Sequence, residues 1–432
     1  MSSFLNILLA LIILSIVVVI HEFGHFIFAR INGVEVIEFS LGMGPTLLSK
    51  NIKGTIFSLK LLPIGGACMM KGEDSGDNTP GSFGSKNVWQ RISIVLAGPV
   101  FNFILAFILA IFIIVFGGYD PAYVNYVEEG SGAAEAGLRE DDLIKSINGE
   151  KIAIGRDAML YFMMNEVTEE PIEMVVERDG EEITLSVPNE EITQYFMGIS
   201  YSASDDPATV TVTDNYPAQN AGMITGDTIV AINGTDIGSG NELQKYFEEH
   251  PLDENPVSIT YKHNTKEYDI TITPEWNTLY QLSFSYNTYR YETPPSQVLK
   301  YSLTEVRFWI SSTIDSLKYL VSGNAHREDV GSAVRVVSEI SDTVEDSKEM
   351  GTKYVILNLI YWAIVISANL GVMNLLPIPA LDGGRLLFMF IEVIRGKPLS
   401  PEKEGIIHFI GFILLMILMV FLFYNDIVYL LR

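Results

Sequence analysis

Residues 4–25 read FLNILLALIILSIVVVIHEFGH, an apolar run that ends in a polar motif. Its first part, residues 4–20, is almost purely apolar. An α-helix rises about 1.5 Å per residue, so a helix of this length can cross a hydrocarbon core about 30 Å thick, with its flanks at the interfaces. No Lys or Arg precedes the stretch and no small-residue cleavage site follows it, which argues against a signal peptide. The sequence therefore predicts an uncleaved membrane span that runs directly into a polar motif.

Three further stretches share this apolar character. They are Ile92–Gly118, Tyr354–Leu376 and Gly405–Tyr424. Across its 432 residues the chain is 48% hydrophobic and only 19% charged. Each stretch is long enough to span a bilayer as a helix. The expected fold is a polytopic α-helical membrane protein with four transmembrane helices.

Charge is distributed unevenly, and the asymmetry predicts an orientation. The formal net charge of −25 arises between Tyr119 and Lys353, where 42 acidic residues face 16 basic ones. Such an acidic region argues against nucleic-acid binding. The short segments that join spans 1 and 2 and spans 3 and 4 are relatively basic, which places them in the cytoplasm. The acidic region and both termini are then expected on the extracytoplasmic side.

The acidic region contains an internal repeat with an offset of 85 residues. Residues 131–149 read SGAAEAGLREDDLIKSING and residues 216–234 read YPAQNAGMITGDTIVAING, with eight of 19 positions identical. A fixed offset across a turn-rich segment indicates a duplicated domain, and strand-like flanks follow each copy. The pattern resembles tandem PDZ domains of the bacterial type, a fold that takes an extended peptide at a sheet edge. Two β-rich spacers without peptide affinity are the alternative.

Two segments outside the spans also have a readable pattern. Residues 34–41, 46–49 and 55–62 read as short strands separated by tight turns. Their apolar content is high for a cytoplasmic loop, so this segment is expected to associate with the membrane. From Leu299 to Val321 apolar residues recur at spacings of three and four, which predicts an amphipathic helix. It would lie either at the membrane surface or against the repeat, and packing against the repeat is slightly favoured.

The polar motif at the end of the first span has the spacing of a metal site. His21 and His25 are four residues apart, so on a helix they project from one face and can share a metal ion. Zinc prefers such imidazole ligands, and Glu22 beside them can act as a general base toward water. Burying these groups in a membrane is costly unless they are paired or functional. A polar cluster that only stabilises helix contacts is the less favoured alternative.

A catalytic zinc ion needs a third protein ligand and an open position. His408 and Asp426 lie in or beside the fourth span, and Asp382 follows the third span in the sequence NLLPIPALDGG, residues 374–384. The prolines and glycines of that sequence must break the helix, and a broken helix at membrane depth usually lines a site. Asp382 is therefore the predicted third ligand. An N-cap of the helix that restarts near Arg385 is its alternative role.

Together these motifs resemble the site-2 protease family, specifically the bacterial regulators of σ-factor signalling with two PDZ domains. The resemblance covers nearly the whole chain and rests on HEFGH (21–25), on Gly98-Pro99 with Asn102, and on residues 374–384. It implies one zinc ion per chain, bound by His21, His25 and Asp382, with Glu22 as the general base. It also implies that Asn374 and Asn102 hold the substrate or the developing oxyanion.

The same resemblance makes the strand-rich segment a membrane-associated β-hairpin that pairs with unwound substrate. Relatives often carry an aromatic residue after Gly65-Gly66, where this chain has Ala67-Cys68. The segment 329–336 matches the Gly-Pro-Val-Gly stretch of the relatives only loosely. These departures concern substrate preference and leave the expected chemistry unchanged.

The expected function is therefore intramembrane proteolysis by a zinc metalloendopeptidase. Its substrates would be single-span membrane proteins, such as a pre-trimmed anti-σ factor, cleaved in or near their transmembrane helix. Other expected partners are the lipid bilayer and a peptide or C-terminus at the PDZ domains, without nucleic acid. The expected location is the bacterial inner membrane.

Two rival functions are open. A PDZ-bearing membrane scaffold or quality-control factor would hold a structural zinc with a fourth protein ligand and would not need Glu22. A protease of the prenyl-protein type would need a downstream Glu ligand on a helix and no repeat, and near the last two spans there is only Glu392, in the wrong context.

The predicted organisation divides the chain into nine segments. They are transmembrane helix 1 (1–32), the β-hairpin segment (33–90), transmembrane helix 2 (91–118), PDZ domain 1 (119–203), PDZ domain 2 (204–285), an amphipathic helical linker (286–350), transmembrane helix 3 with the LDGG motif (351–384), a cytoplasmic loop (385–404) and transmembrane helix 4 (405–432).

Overall fold

The computed structural model describes residues 2–73, 77–263, 266–322 and 331–431. The chain forms two compact units. One, the membrane unit, combines Met1–Pro121 with Thr288–Leu430, and the other, the repeat unit, is Ala122–Asn287. Part of the predicted linker, residues 323–330, lies outside the described residues, as do the first two residues of the segment 329–336.

The described residues contain eleven α-helices. In chain order they are α1 (Ser2–Ile31), α2 (Val88–Gly117), α3 (Gly132–Glu135), α4 (Gly155–Met164), α5 (Pro217–Asn220), α6 (Gly240–Glu249), α7 (Val298–Ser322), α8 (Ala333–Met350), α9 (Thr352–Leu375), α10 (Asp382–Arg395) and α11 (Pro401–Leu431). A short 3-10 helix, Pro295–Gln297, precedes α7.

Sixteen strands are found in the same ranges. They are β1 (Val36–Ile52), β2 (Thr55–Met70), β3 (Val124–Val127), β4 (Leu143–Ile147), β5 (Glu150–Lys151), β6 (Ile172–Arg178), β7 (Glu181–Val187), β8 (Glu190–Phe196), β9 (Ile199–Tyr201), β10 (Val210–Val212), β11 (Thr228–Ile232), β12 (Thr235–Asp236), β13 (Val257–His263), β14 (Lys266–Ile272), β15 (Glu275–Gln281) and β16 (Phe284–Tyr286).

Four helices of the membrane unit are long and apolar enough to cross a membrane, as the sequence predicts. Among the described residues these stretches are Leu5–Ile31, Val88–Gly117, Thr352–Leu375 and Glu402–Asp426. The first helix continues well past the apolar run, so the HEFGH motif is helical throughout. Many large apolar side chains on these helices are exposed, Phe112 and Phe409 among them, which is the surface a lipid-facing helix presents.

The segment between α1 and α2 is one sheet built from β1 and β2. Residues 38–41 pair on two sides, with residues 66–69 and with residues 56–59, and the hairpin end pairs Ile52 with Thr55. The three predicted strands are therefore present as parts of two long strands. A fourth stretch, which ends β2, was not predicted because Gly65-Gly66 reads as a turn when its pairing partner is unknown.

Helix α7 spans the predicted amphipathic segment, but its packing differs from the favoured expectation. Val306 is buried in a cluster with Ala106 and Ala110 of α2 and with Ile364 of α9. The apolar face thus packs on the membrane helices, because these expose small residues at which a neighbouring helix can approach closely. A second helix, α8, follows, and its Ile340 and Val344 pack with Ala10 of α1.

The repeat unit shows the 85-residue offset in three dimensions. The first copy forms a four-stranded sheet in the order β5-β4-β6-β7, and the second forms β12-β11-β13-β14. Strands β4 and β11 begin 85 residues apart, and so do β6 and β13, as well as helices α4 and α6. The two similar sequence segments therefore carry the same elements in the same order.

The two copies exchange their last strands. Strand β9, from the end of the first copy, pairs with β10 of the second, and β16, from the end of the second copy, pairs with β3 of the first. The cores follow this exchange, since Phe284 is buried with the first copy and Met197 with the second. Packing therefore does not follow the predicted boundary at 203/204, and the repeat behaves as one intertwined unit.

Candidate metal centre

The first two candidate ligands lie on one face of α1. His21 and His25 are one helical turn apart, with ring centroids 4.8 Å from each other. Both are buried. Between them, Gly24 allows close contact with α2, because a Cβ atom there would lie 2.4 Å from the carbonyl oxygen of Ala97. This contact presses the histidine face of α1 against α2.

Helix α2 orients both imidazole rings. A Cβ atom at Gly98 would lie 2.3 Å from Nε2 of His25, so only glycine leaves room for the ring. Nδ1–H of His25 donates to the carbonyl of Ile94 at 2.9 Å, and the side-chain amide of Asn102 lies 3.2 Å from Nδ1 of His21. Metal-binding histidines commonly use their second nitrogen in this way, which fixes the ring and its tautomer.

The third candidate comes from the break between α9 and α10. Two prolines end α9, since proline has no backbone N–H to donate, and α10 begins at Asp382. A Cβ atom at Gly383 would lie 2.2 Å from the carbonyl oxygen of Leu376, so α10 starts close against the end of α9. The N-cap of α10 is Leu381, without a side-chain hydrogen bond. Asp382 is thus the first helical residue and not the cap.

Three side-chain atoms converge at one point. Nε2 of His21 and Nε2 of His25 are 3.2 Å apart. Oδ2 of Asp382 lies 3.1 Å from the first and 3.4 Å from the second. Tetrahedral zinc with ligand distances of about 2.0–2.1 Å would hold its ligand atoms roughly 3.3–3.4 Å apart. The triangle has the size of one face of such a site.

The donor set also fits zinc chemically. When Nδ1 of each histidine carries the proton, Nε2 presents a lone pair. Oδ2 of Asp382 has no hydrogen-bond partner among the described residues. Three electron-rich atoms this close are unfavourable in a buried site unless a cation or proton lies among them. Two imidazole nitrogens and one carboxylate oxygen, with a fourth position open, are a donor set that catalytic zinc accepts.

Comparison with known proteins assigns the chain to a family. Residues 9–418 match peptidase family M50, which is nearly the whole chain. The chain belongs to peptidase family M50. This is the site-2 protease family that the sequence motifs indicate.

Similar proteins support the M50 assignment over their full length. A putative zinc metalloprotease of Clostridium acetobutylicum is 29% identical over 99% of this chain and 98% of its own. Zinc metalloprotease RasP of Shouchella clausii is 30% identical over 98% and 99%. The regulator of sigma-W protease RasP of Bacillus subtilis is 28% identical over the same shares. The M50 chain is accordingly a zinc metalloprotease.

In this M50 metalloprotease a cavity of about 180 Å³ opens beside the three candidate ligand atoms. Glu22 lines it, and Cys68 of β2 forms part of its wall. The strand comes close to Glu22 because Gly66 has no side chain, and a Cβ atom there would lie 3.3 Å from Cγ of Glu22. A peptide or water in this cavity would meet the carboxylate and the candidate ligands together.

A larger cavity of about 720 Å³ shares Glu73 and Arg385 with the first. These two side chains form an ion pair where the cavities share their wall. Glu392 also lines the larger cavity, and it pairs with Arg91 at 2.5 Å. Glu392 therefore lies with Arg91 and not with the histidines, unlike the third ligand of a prenyl-protein type site.

The structure gathers the other five predicted site residues around His21. Nδ2 of Asn374 lies 3.5 Å from Nε2 of His21, on the side of the candidate metal position. Asn102 is fully buried on the other side of the ring, where it faces Nδ1. The carbonyl of Ile94 was missed, because no side-chain pattern reveals a backbone acceptor. Gly98 is part of a sequence motif, but only the structure shows that its lack of a side chain leaves room for the imidazole.

The two discarded ligand candidates are engaged elsewhere. Asp426 accepts the backbone N–H of Ser332 at 2.8 Å and so caps the start of α8. Nδ1 of His408 accepts the backbone N–H of Ala380 at 2.8 Å. Neither lies with the three converging atoms.

Proposed function

We propose that this M50 protein is an intramembrane zinc protease that hydrolyses a peptide bond in or near the transmembrane helix of single-span membrane proteins. The observation that carries the proposal is the triangle of Nε2, Nε2 and Oδ2 atoms, 3.1–3.4 Å on each side, on helices apolar enough to span a membrane. His21, His25 and Asp382 would hold one zinc ion per chain. When bound, zinc supplies Lewis acidity to a water and to the scissile carbonyl.

Glu22 is the proposed general base. It lines the cavity beside the ligand triangle, so its carboxylate can take a proton from the attacking water and return it to the leaving amine. Asn374, whose Nδ2 lies 3.5 Å from Nε2 of His21, would contact the substrate or the developing oxyanion. For Asn102, whose Nδ2 lies 3.2 Å from Nδ1 of His21, the contact supports a role in orienting the imidazole instead.

The sheet of β1 and β2 would present the substrate. A helical substrate must be extended before its amide can reach the metal, and pairing with a strand extends it. β2 passes directly beside Glu22 at Gly66, which supports this assignment. The small side chain of Cys68 in the cavity wall leaves more room there than an aromatic residue would.

The proposed setting is a bacterial inner membrane, with the repeat unit and both termini on the extracytoplasmic side. The basic short loops support this orientation. The proposed substrates are pre-trimmed anti-σ factors, and the name of the Bacillus subtilis relative, regulator of sigma-W protease, supports them. The repeat unit would act as a PDZ pair that excludes bulky substrates or recognises a new terminus.

The test is cleavage of several trimmed single-span substrates by the purified full chain in detergent. Glu22→Gln is expected to lower the rate by about 10²–10⁴-fold, the usual contribution of a general base, while its zinc content stays that of wild type. Glu128→Gln, in the repeat unit, is the matched control and should cleave normally. If wild type and Glu22→Gln were both inert with zinc bound, the scaffold with a structural zinc would be the correct function.

A further inference from the structure

The loop that carries Asp382 contains a strained turn. The backbone N–H of Leu381 donates to the carbonyl of Ile378 at 3.1 Å, which closes a four-residue turn with Pro379 and Ala380 in the middle. Ala380 has φ of +77°. Proline followed by a residue with positive φ is the pattern of a type II turn, whose third position favours glycine. Alanine is strained there, so the surrounding structure must hold the turn.

Helix α11 holds both central residues of this turn. Nδ1 of His408 accepts the N–H of Ala380 at 2.8 Å, a group that the turn's own hydrogen bond does not use. Three residues further along the same helix, Gly411 lies so close to Pro379 that a Cβ atom would be 2.5 Å from Cβ of the proline. Residues three apart share one helix face. One face of α11 therefore contacts both central residues of the turn.

The ring of His408 is itself fixed in place. It packs edge-to-face on Phe388 of α10, with ring centroids 5.4 Å apart. Because Nδ1 accepts a hydrogen bond, the proton of the neutral ring is on Nε2. Glu404 lies 3.9 Å from Nε2, on the face of α11 one turn earlier. The ring is thus fixed between α10 and α11, with Nδ1 directed at the N–H of Ala380.

We propose that His408 is a positioning residue for the metal centre. By holding the N–H of Ala380, it keeps the strained turn in the conformation that directs Oδ2 of Asp382, two residues later, toward His21 and His25. Leu381, between them, is an N-cap without a side-chain hydrogen bond. The proposal rests on the ligand set proposed above, and it adds the residue that positions the third ligand, Asp382.

The experiment measures zinc retention by the full-length protein in detergent during competition with a chelator, beside cleavage and thermal unfolding. His408→Leu removes the hydrogen-bond acceptor and puts an apolar side chain of similar size in place of the ring. It is expected to hold zinc about 10–100-fold more weakly, as for other residues that orient a ligand. His408→Asn places Oδ1 where Nδ1 was and should recover most of this loss.

Relief of the backbone strain gives the decisive comparison. Ala380→Gly makes positive φ easy, so the double variant Ala380→Gly/His408→Leu should retain zinc nearly as well as wild type. A residue that only fills space would not be rescued by a change in the turn. The proposal fails if the double variant binds zinc as weakly as His408→Leu, or if His408→Asn is no better than His408→Leu.

Two controls separate this proposal from the ligand assignment. His250→Leu, in the repeat unit, should leave zinc retention unchanged. If Asp382→Asn loses zinc while His408→Leu keeps it, the ligand set stands and the role of His408 is wrong. If Asp382→Asn keeps zinc, the ligand set is wrong, and the role of His408 falls with it.

Discussion

The membrane unit and the repeat unit each hold an aspartate that faces nitrogen-bearing side chains, but the two carboxylates differ. Both oxygens of Asp142 in the repeat unit accept hydrogen bonds from Arg178, each at 2.6 Å, and Oδ2 also accepts the N–H of Arg139 at 2.9 Å. Oδ2 of Asp382 instead converges with two imidazole nitrogens and has no hydrogen-bond partner among the described residues.

The difference separates a carboxylate that stabilises the fold from one that we propose binds the metal. Fully satisfied oxygens leave Asp142 nothing further to bind, and the bond to it raises the pKa of the Arg178 guanidinium, so the pair stays charged. Oδ2 of Asp382, by contrast, would gain a partner when a cation binds. A change at Asp382 should therefore weaken metal binding and leave the repeat unit stable. Loss of the partner of Asp142 should destabilise the repeat unit and leave metal binding unchanged.

The largest expected effect is at Asp382. Asp382→Ala should abolish zinc retention and lower cleavage by about 10³-fold or more, because several kcal/mol of transition-state stabilisation depend on the metal. Hydrogen exchange in the repeat unit should not change. Metal analysis, a cleavage assay and hydrogen exchange on the same preparation test all three. Loss of protection across the repeat unit would show that Asp382 is structural and would erase the contrast with Asp142.

The reverse result is expected at Arg178. Arg178→Met leaves Asp142, which is 1% exposed, without its cation. Breaking a buried pair by removing one partner usually costs 3–5 kcal/mol, and the lower end, roughly 3 kcal/mol, is expected because Arg178 is one-fifth exposed. Hydrogen exchange of β4 and β6 in the full chain would measure the loss. Zinc content should equal that of wild type, and a drop in zinc would contradict the assigned division of roles.

The sequence was informative in the membrane unit because its chemistry is encoded locally. The spacing of His21 and His25 sets their common face on any helix, and the prolines before Asp382 must break a helix wherever they stand. An apolar run of span length then leaves few places for charged groups. The candidate ligands could therefore be chosen from spacing and hydropathy alone.

Features that depend on contacts between distant segments could not be predicted from spacing and hydropathy. The exchange of β9 and β16 leaves no local signal, since each strand has the same composition whichever copy it joins. The same applies to the packing of α7, whose apolar stripe fits any apolar partner. The hydrogen bond between His408 and Ala380 also joins residues 28 apart in the sequence, on either side of a helix break. Its importance is visible only in the structure, where Ala380 has a positive φ.

The smallest expected effect lies in the second copy of the repeat, which carries the same aspartate with a different partner. Asp227 and His263 occupy the positions equivalent to Asp142 and Arg178, with Nδ1 of His263 2.7 Å from Oδ1 of Asp227. The N–H of Ile224 donates to Oδ2, as the N–H of Arg139 does in the first copy. The second copy thus has one side-chain hydrogen bond where the first has a bidentate pair.

His263→Leu should therefore destabilise the second copy by about 1.5 kcal/mol, the lower end for a hydrogen bond to a charged group, or about half the effect of Arg178→Met. Exchange at β11 and β13 should rise while zinc content stays constant. Because the copies share exchanged strands, some loss of protection should also reach β9. If His263→Leu proved as costly as Arg178→Met, the stability of this unit would depend on any partner for its buried aspartates, and the bidentate geometry of the first copy would have no special weight.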